Sequence, residues 1–303
     1  MWLYEPPHHH TEFAATASRA RALREGRFVS KSPSVGVVPV GASDLVLPIG
    51  SSASAASMLL DVARRNEAAF GEEFLGLVLS GSAGRGLATD RSDLDVHVVL
   101  AESVRTMPEV ARSPELDEIP VRLDRLEAVP PFGNPDWWFR WSYAWAPVVL
   151  DRSGGRVAAA ARRQATLTPE EADAVLLEHS RLDGWLNLAY RALKSDRAGR
   201  LLECRLDVAE SVHWLLDVVF ALEARVRPYN SYLAWELRTH PLRRWPRDDL
   251  IPLIGRLLDG DPAAVREAFA ALEWAVSAHD EARGHRRGRE VVAGWDEERT
   301  LFL

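Results

Sequence analysis

Two aspartates placed two positions apart, Asp93 and Asp95, are the residues of this sequence best suited to do chemistry. They lie in the stretch SDLDVHVVL, in which apolar residues separate and follow the acids. On a strand, alternate side chains share a face, so the two carboxylates would lie side by side while Leu94 and Val96 face a core. Neighbouring carboxylates repel each other, and a bound cation would remove that penalty. Mg²⁺, which takes carboxylate and phosphate oxygens as ligands, fits this pattern.

A turn of small residues precedes the two acids. Residues 75–79 form an apolar run short enough for a strand, and the stretch SGSAGRG follows it. Glycine lets a backbone approach a ligand closely, so backbone N–H groups and the Ser82 hydroxyl could contact a phosphate. The turn and the acids together predict a site for a metal-bound nucleoside triphosphate. The alternative is a glycine-rich hairpin followed by a solvated acidic strand edge.

This combination resembles the signature of the nucleotidyltransferase superfamily that includes DNA polymerase β and the aminoglycoside nucleotidyltransferases. The resemblance rests on Gly81-Ser82, ten intervening residues and Asp93-Leu94-Asp95-Val96, and on the Gly-Ser-x-x-Arg-Gly form of residues 81–86. It implies an α+β fold, in which a polymerase β-like mixed-sheet domain precedes an all-α helical bundle domain. It also implies that Gly81, Ser82 and Arg85 bind the nucleotide, and that Asp93 and Asp95 are catalytic ligands of Mg²⁺, with two ions per site.

The superfamily commonly places a third carboxylate on a strand beside the acidic pair. Residues 119–129 are the next strand candidate in the sequence. We predict Asp124 as the third metal-binding and catalytic acid, with Glu127 as the second candidate and otherwise a substrate-binding residue. Arg125 interrupts the expected hydrophobic–acid–hydrophobic pattern, so a surface acid paired with a neighbouring arginine is an equally open interpretation.

From residue 168 onward the pattern is helical. Thr168 and Pro169 are typical of a helix start, and apolar residues recur at three- and four-residue steps over 201–225. A resemblance to streptomycin-type adenylyltransferases implies that Arg191 and Arg205 reach the triphosphate. Lys194 shares the helix face of Arg191 and joins them as a candidate. A solvated polar face is the alternative.

Four further residues of this half are candidates for substrate binding. Asn187 lies on the same helix face as Arg191, and Tyr229 lies at a break between helices. The carboxylates of Asp183 and Glu210 could hold an amino group or accept a hydroxyl proton. Ordinary solvated helix faces and a helix-ending turn are the alternatives.

Length and composition bound the remaining expectations. The 303 residues predict an N-terminal extension (1–50), a nucleotidyltransferase domain (51–160) and a C-terminal helical substrate-binding domain (161–303). We interpret the His8-His9-His10 run as a polar tail or tag remnant rather than a metal site. The chain has a single cysteine, a start without signal-peptide pattern and no apolar run of membrane-spanning length, which predicts a cytoplasmic protein.

These observations predict a transferase that moves a nucleoside monophosphate from a triphosphate, with ATP favoured, to a hydroxyl of a small molecule such as an aminoglycoside or another antibiotic. The alternatives are transfer to a tRNA or protein, and a catalytically silent nucleotide-binding module. The net charge of −7 argues against a nucleic-acid partner, while the basic run 283–289 leaves one open. No membrane partner is expected, and both a monomer and a homodimer fit the resemblance.

Overall fold

A five-stranded mixed sheet forms the first half of residues 40–303, the part of the chain that the computed structural model describes. In the sheet, β2 runs parallel to β4, and the other neighbouring strands are antiparallel. The histidine run at 8–10 and most of the predicted extension lie outside the described residues. In chain order the strands are β1 (Phe74–Leu79), β2 (Leu94–Leu100), β3 (Ala111–Arg112), β4 (Leu116–Arg122) and β5 (Val148–Asp151), and their order across the sheet is β3-β4-β2-β1-β5.

Helices flank the sheet and make up the second half. The α-helices are α1 (Ala53–Phe70), α2 (Gly81–Gly84), α3 (Leu123–Glu127), α4 (Arg140–Tyr143), α5 (Arg156–Gln164), α6 (Pro169–Asp173), α7 (Arg181–Arg197), α8 (Leu201–Leu222), α9 (Leu233–Thr239), α10 (Arg247–Leu258), α11 (Pro262–Arg283) and α12 (Arg287–Ala293). Shorter 3₁₀ segments occur at Ala42–Asp44, Gly71–Glu73, Pro135–Phe139, Asn230–Tyr232 and Asp296–Leu301, and a π-helical turn at Ala174–Glu178. None of the helices in residues 40–303 combines the length and apolarity needed to cross a bilayer.

One face of the sheet is covered by α1. The helix begins after Ser52, whose hydroxyl accepts a hydrogen bond from the Ala55 N–H at 3.1 Å. Its buried Leu59 and Val62 belong to the same core as Leu94 and Val96 of β2. Since side chains alternate along a strand, Asp93 and Asp95 point to the opposite face, as predicted.

The opposite face carries a smaller apolar cluster around Val78, Val99 and the helices α3 and α5. The strand predicted over 119–129 is wrong in its bounds, because β4 ends at Arg122 and α3 begins at Leu123. Leu123 and Leu126 are both buried on this face, at the three-residue spacing of a helix.

The helical half has its own core, in which α7 and α8 are the central pair. Trp137 and Trp141, from the aromatic segment 134–145, are buried in that core, so this segment connects the sheet region to the helices. The predicted α+β architecture, a mixed sheet followed by helices, is confirmed. The described residues 40–303 belong to one compact unit, and the predicted domain boundary near residue 160 stays a prediction.

Candidate active site

Three carboxylates meet at one end of the parallel pair β2–β4. Asp93 precedes β2, Asp95 lies on it, and Asp117 is the register partner of Asp95 on β4. A ligand oxygen from each of the three lies within 4.8 Å of the others. We call these residues the acidic cluster.

The acidic cluster carries more negative charge than its surroundings balance. Burial, together with the charges of Asp93 and Asp117, raises the pKa of the Asp95 carboxyl. The nearest salt-bridge partner is Arg112, whose Nη1 is 3.7 Å from Asp117 Oδ2, but its side chain is 73% exposed and the pair is screened by solvent. A divalent cation would relieve this repulsion, and three carboxylates form the all-oxygen donor set that Mg²⁺, Ca²⁺ and Mn²⁺ accept.

The glycine–serine turn lies directly against Asp95. The Ser80 N–H donates to the Asp95 carbonyl at 2.8 Å, which joins the turn to β2. Gly81 has a φ of +59°, and a Cβ added there would collide with the Asp95 carboxylate. Glycine is therefore required both by the backbone conformation and by the space. Ser82 follows in α2, where its side chain is partly buried.

Arg85, which we predicted to bind nucleotide, is instead turned into the protein. Its side chain is buried and lies over the Trp141 ring, with the guanidinium carbon 4.0 Å from the ring centroid. Its guanidinium donates to four backbone carbonyls, those of Gly81, Trp141, Ser142 and Ala144, at 2.9–3.3 Å. Burial lowers the pKa of this group. In the structure, Arg85 therefore fixes the turn to the aromatic segment.

A cavity of about 360 Å³ opens beside Asp95 and Gly81. Six of its fourteen lining residues have aromatic rings, and Tyr229, predicted to contact substrate, is one of them, with its hydroxyl 2.9 Å from Ser142 Oγ. We call this space the aromatic cavity. It is lined by Ser80, Gly81, Arg85, Asp95, His97, Val110, Arg112, Ile119, Phe139, Trp141, Ser142, Tyr143, Tyr229 and Tyr232.

His97 continues the row of Asp93 and Asp95 along β2 into the wall of the aromatic cavity. The residue is 5% exposed, and its ring lies 4.4 Å from that of Tyr143. Both ring nitrogens are buried without a hydrogen-bond partner among the described residues. Burial lowers the pKa of His97 to about 4.

Asp124 and Glu127 do not join the acidic cluster. Arg122 donates two hydrogen bonds of 3.0 Å to Asp124. In the β2–β4 ladder, Arg122 pairs with Leu100, at the end opposite to Asp95. Glu127 binds Arg156 at that end. The predicted strand position of Asp124 is thus wrong, because β4 ends at Arg122, before Asp124. The alternative interpretation, a surface acid paired with a neighbouring arginine, agrees with the structure.

The predicted basic residues of the helical half do not line the aromatic cavity. Arg191 on α7 pairs with Asp207 on α8 at 3.0 Å. Lys194 lies 5.8 Å from the Tyr190 ring centroid, and Arg205 packs beside Gly260 in the α10–α11 connection.

The remaining substrate-binding candidates are also outside this cavity. Asp183 accepts a hydrogen bond from the Trp295 indole at 3.1 Å and lines a different cavity of about 500 Å³. Asn187 and Glu210 are exposed on α7 and α8.

The structure brings in two residues that the sequence interpretation missed. Asp117 lies in Leu116-Asp117-Glu118-Ile119, where an acid between apolar residues could have been taken as a strand. The sequence instead predicted a polar connector over residues 102–118, which contains Pro108 and Pro114. His97 lies two positions after Asp95, and the same alternation that pairs the aspartates places it on their face.

Comparisons with known proteins give limited information. No protein-family model matches the sequence, and the comparison with curated proteins finds no match. Among solved structures, the chain is similar to a nucleotidyltransferase-like protein from Exiguobacterium sibiricum 255-15. The two are 13% identical over 78% of this chain and 77% of the other, with a TM-score of 0.37. Similarity at this level assigns no function, which has to be inferred from the residues of the site.

Proposed function

We propose that the protein is a metal-dependent nucleotidyltransferase, which moves a nucleoside monophosphate from a triphosphate to an acceptor hydroxyl and releases pyrophosphate. The observation that carries this proposal is the acidic cluster, with its three carboxylates gathered at one end of β2 and β4. The contact between Gly81 and Asp95 supports it, because the reaction needs a phosphate-binding turn next to the metal ligands.

Each part of the site has a role in this proposal. Asp93, Asp95 and Asp117 would hold Mg²⁺, and we propose two ions. Bound Mg²⁺ would offset phosphate charge and help to align the attacking and leaving oxygens. Ser82 and the backbone of its turn would hold the phosphate chain. Asp117, which is the register partner of the cavity residue Arg112 and lies two positions before Ile119 on β4, would accept the proton of the acceptor hydroxyl.

The aromatic cavity favours a small acceptor as the substrate. Its volume lies in the range of small-molecule sites, about 300–1,000 Å³. Asp95 is its single carboxylate, whereas two basic residues, Arg85 and Arg112, line it. We therefore propose an uncharged, ring-bearing hydroxyl compound in preference to a polycationic aminosugar. Transfer from ATP and a role in antibiotic modification stay predictions.

Transfer of label tests the proposal directly. The protein would be incubated with Mg²⁺ and each of the four α-phosphate-labelled ribonucleoside triphosphates, together with neutral hydroxylated ring compounds, aminosugars, tRNA or no acceptor. We expect pyrophosphate release and labelling of a neutral small acceptor. Labelling of tRNA or of the protein itself would show that the acceptor is a macromolecule and not a small molecule.

Substitution of one metal ligand provides the control. Asp93→Asn changes one oxygen to an amide nitrogen with little change in size, and it should abolish transfer while circular dichroism and melting temperature stay close to those of the wild type. Near-wild-type turnover of this variant would reject the assignment of the acidic cluster as the active site.

A further inference from the structure

A second group of metal-ligand side chains lies in the helical half. Asp173 ends α6, His279 lies on α11, and His285 follows the end of α11. His279 Nε2 is 2.8 Å from Asp173 Oδ1, and His285 Nε2 is 3.3 Å from Asp173 Oδ2. A ligand atom from each residue lies within 4.8 Å of the others. We call these three residues the histidine cluster.

Two further side chains contact the ligand groups of the histidine cluster. A ligating histidine usually has a carboxylate or carbonyl at its other ring nitrogen, which fixes the ring. His285 Nδ1 lies 3.1 Å from Oδ1 of the fully buried Asp280, in a charge contact that lacks hydrogen-bond geometry. The Arg283 Nε–H donates to Asp173 Oδ2 at 3.1 Å, which orients that carboxylate. A carboxylate thus lies beside the second ring nitrogen of His285, and Asp173 is held in place.

The donor atoms and their spacing indicate which ion. Two imidazole nitrogens and one carboxylate oxygen are ligands typical of Zn²⁺, with bonds of about 2.0–2.2 Å and tetrahedral geometry. Ligand atoms around such an ion lie about 3.3 Å apart, close to the 2.8 and 3.3 Å seen between the histidine nitrogens and the Asp173 oxygens. Small side-chain shifts would therefore admit the ion.

We propose that Asp173, His279 and His285 bind a divalent transition-metal ion, for which Zn²⁺ is the probe, and that this ion joins the end of α6 to the end of α11. Their side chains are only 6%, 12% and 21% exposed, which leaves little space for a substrate. The site is therefore structural. It shares no residue with the acidic cluster, and its test is independent of nucleotidyl transfer.

Zinc binding can be measured against a chromophoric chelator in excess Mg²⁺, which occupies carboxylate sites without competing for imidazole nitrogen. The parent chain for this test would carry alanine at His8, His9 and His10, because that run could itself bind zinc. We expect one Zn²⁺ per chain, a melting temperature that rises with Zn²⁺ and falls back with EDTA, and a visible absorption typical of tetrahedral Co²⁺ after cobalt substitution.

Three variants decide the outcome. His279→Gln and His285→Gln should each weaken zinc binding at least about a hundredfold, because outer-partner changes alone cost 10–100-fold. His179→Gln, at an exposed histidine outside the cluster, should bind like the parent. The proposal would be overturned if the parent bound no zinc, or if the cluster variants kept its zinc affinity and its zinc-dependent melting temperature. The three residues would then be a network of hydrogen bonds and ion pairs without a metal. Circular dichroism of each variant separates lost ligands from lost folding.

Discussion

Asp95 and Asp117 face each other as a register pair of the parallel strands β2 and β4, although 21 positions separate them in the chain. This pairing makes Asp117 the third acid of the site. Asp124 lies beyond the other end of the same ladder, where it accepts two hydrogen bonds from Arg122.

The two acids should respond differently to the same substitution. Asp117→Asn should lower the Mg²⁺-dependent transfer rate by about a hundredfold or more, because it removes a charge next to the reacting phosphates. Asp124→Asn removes an exposed ion pair and should leave the rate within about twofold of wild type. Steady-state rates at several Mg²⁺ concentrations make the comparison. If Asp124→Asn is the inactive variant, the third acid has been assigned to the wrong residue.

Gly81 and Gly86 give a matched pair for the turn. Both have positive φ, +59° and +67°, but an added Cβ collides with the Asp95 carboxylate at Gly81 and meets nothing within 4 Å at Gly86. Each glycine-to-alanine change should cost about 1–2 kcal/mol for the left-handed backbone. Only Gly81→Ala should also abolish transfer, because Asp95 must move. Urea unfolding and activity assays on both variants test this, and equal activities would show that the Gly81 contact is dispensable.

Glu236 should be one of the most sensitive positions for stability. Its fully buried carboxylate accepts hydrogen bonds from the indoles of Trp141 and Trp145, at 3.2 and 2.9 Å, and pairs with Arg225. Glu236→Ala would leave Arg225 without its partner and should lower the free energy of unfolding by about 3–5 kcal/mol. Glu210→Ala, on an exposed helix face, should change it by about 0.5 kcal/mol or less. Chemical denaturation of both variants provides the measurement.

His240 should make stability depend on pH. Its ring stacks on Trp145, with centroids 3.9 Å apart, and burial together with the charge of Arg225 lowers its pKa to about 4. The unfolded chain, with a histidine pKa of about 6.5, binds the proton more readily. The contribution of His240 is therefore complete above pH 6.5 and is lost as the pH falls from 6.5 toward 4.

His240→Phe would keep a stacked ring that does not titrate. Its free energy of unfolding should fall less steeply between pH 6.5 and 4 than that of the wild type, while His179→Phe, at an exposed position, should follow the wild-type slope. If the free energy of unfolding fell equally steeply with pH for His240→Phe and the wild type, the His240 ring would not contribute to the pH dependence of stability. Denaturation series at half-unit pH steps are sufficient.

Local patterns in the sequence were enough to place the aspartate pair and the turn beside it. Asp93, Asp95, Gly81 and Ser82 are close in the chain, and their arrangement follows from strand alternation and a short connection. The apolar period of α8 predicted a helix for the same reason.

The rest of the site depends on strand pairing and on long-range hydrogen bonds, which a single sequence does not specify. The parallel register of β2 and β4 selects Asp117, and no local pattern distinguishes it from Asp124. Arg85 fits a nucleotide-binding turn by type and spacing. Its direction is set by the carbonyl groups at 141–144, which come from a distant part of the chain.

Arg85 also limits how the protein can open. Its guanidinium ties the Gly81 turn to the aromatic segment, and Glu236 ties that segment to α9. The turn, the aromatic segment and α9 are thus joined in series, and a hinge that swung the helices away from the sheet would have to break one of these buried connections. Entry into the aromatic cavity past the exposed Val110 and Arg112, beside the two-residue strand β3, would leave both connections intact.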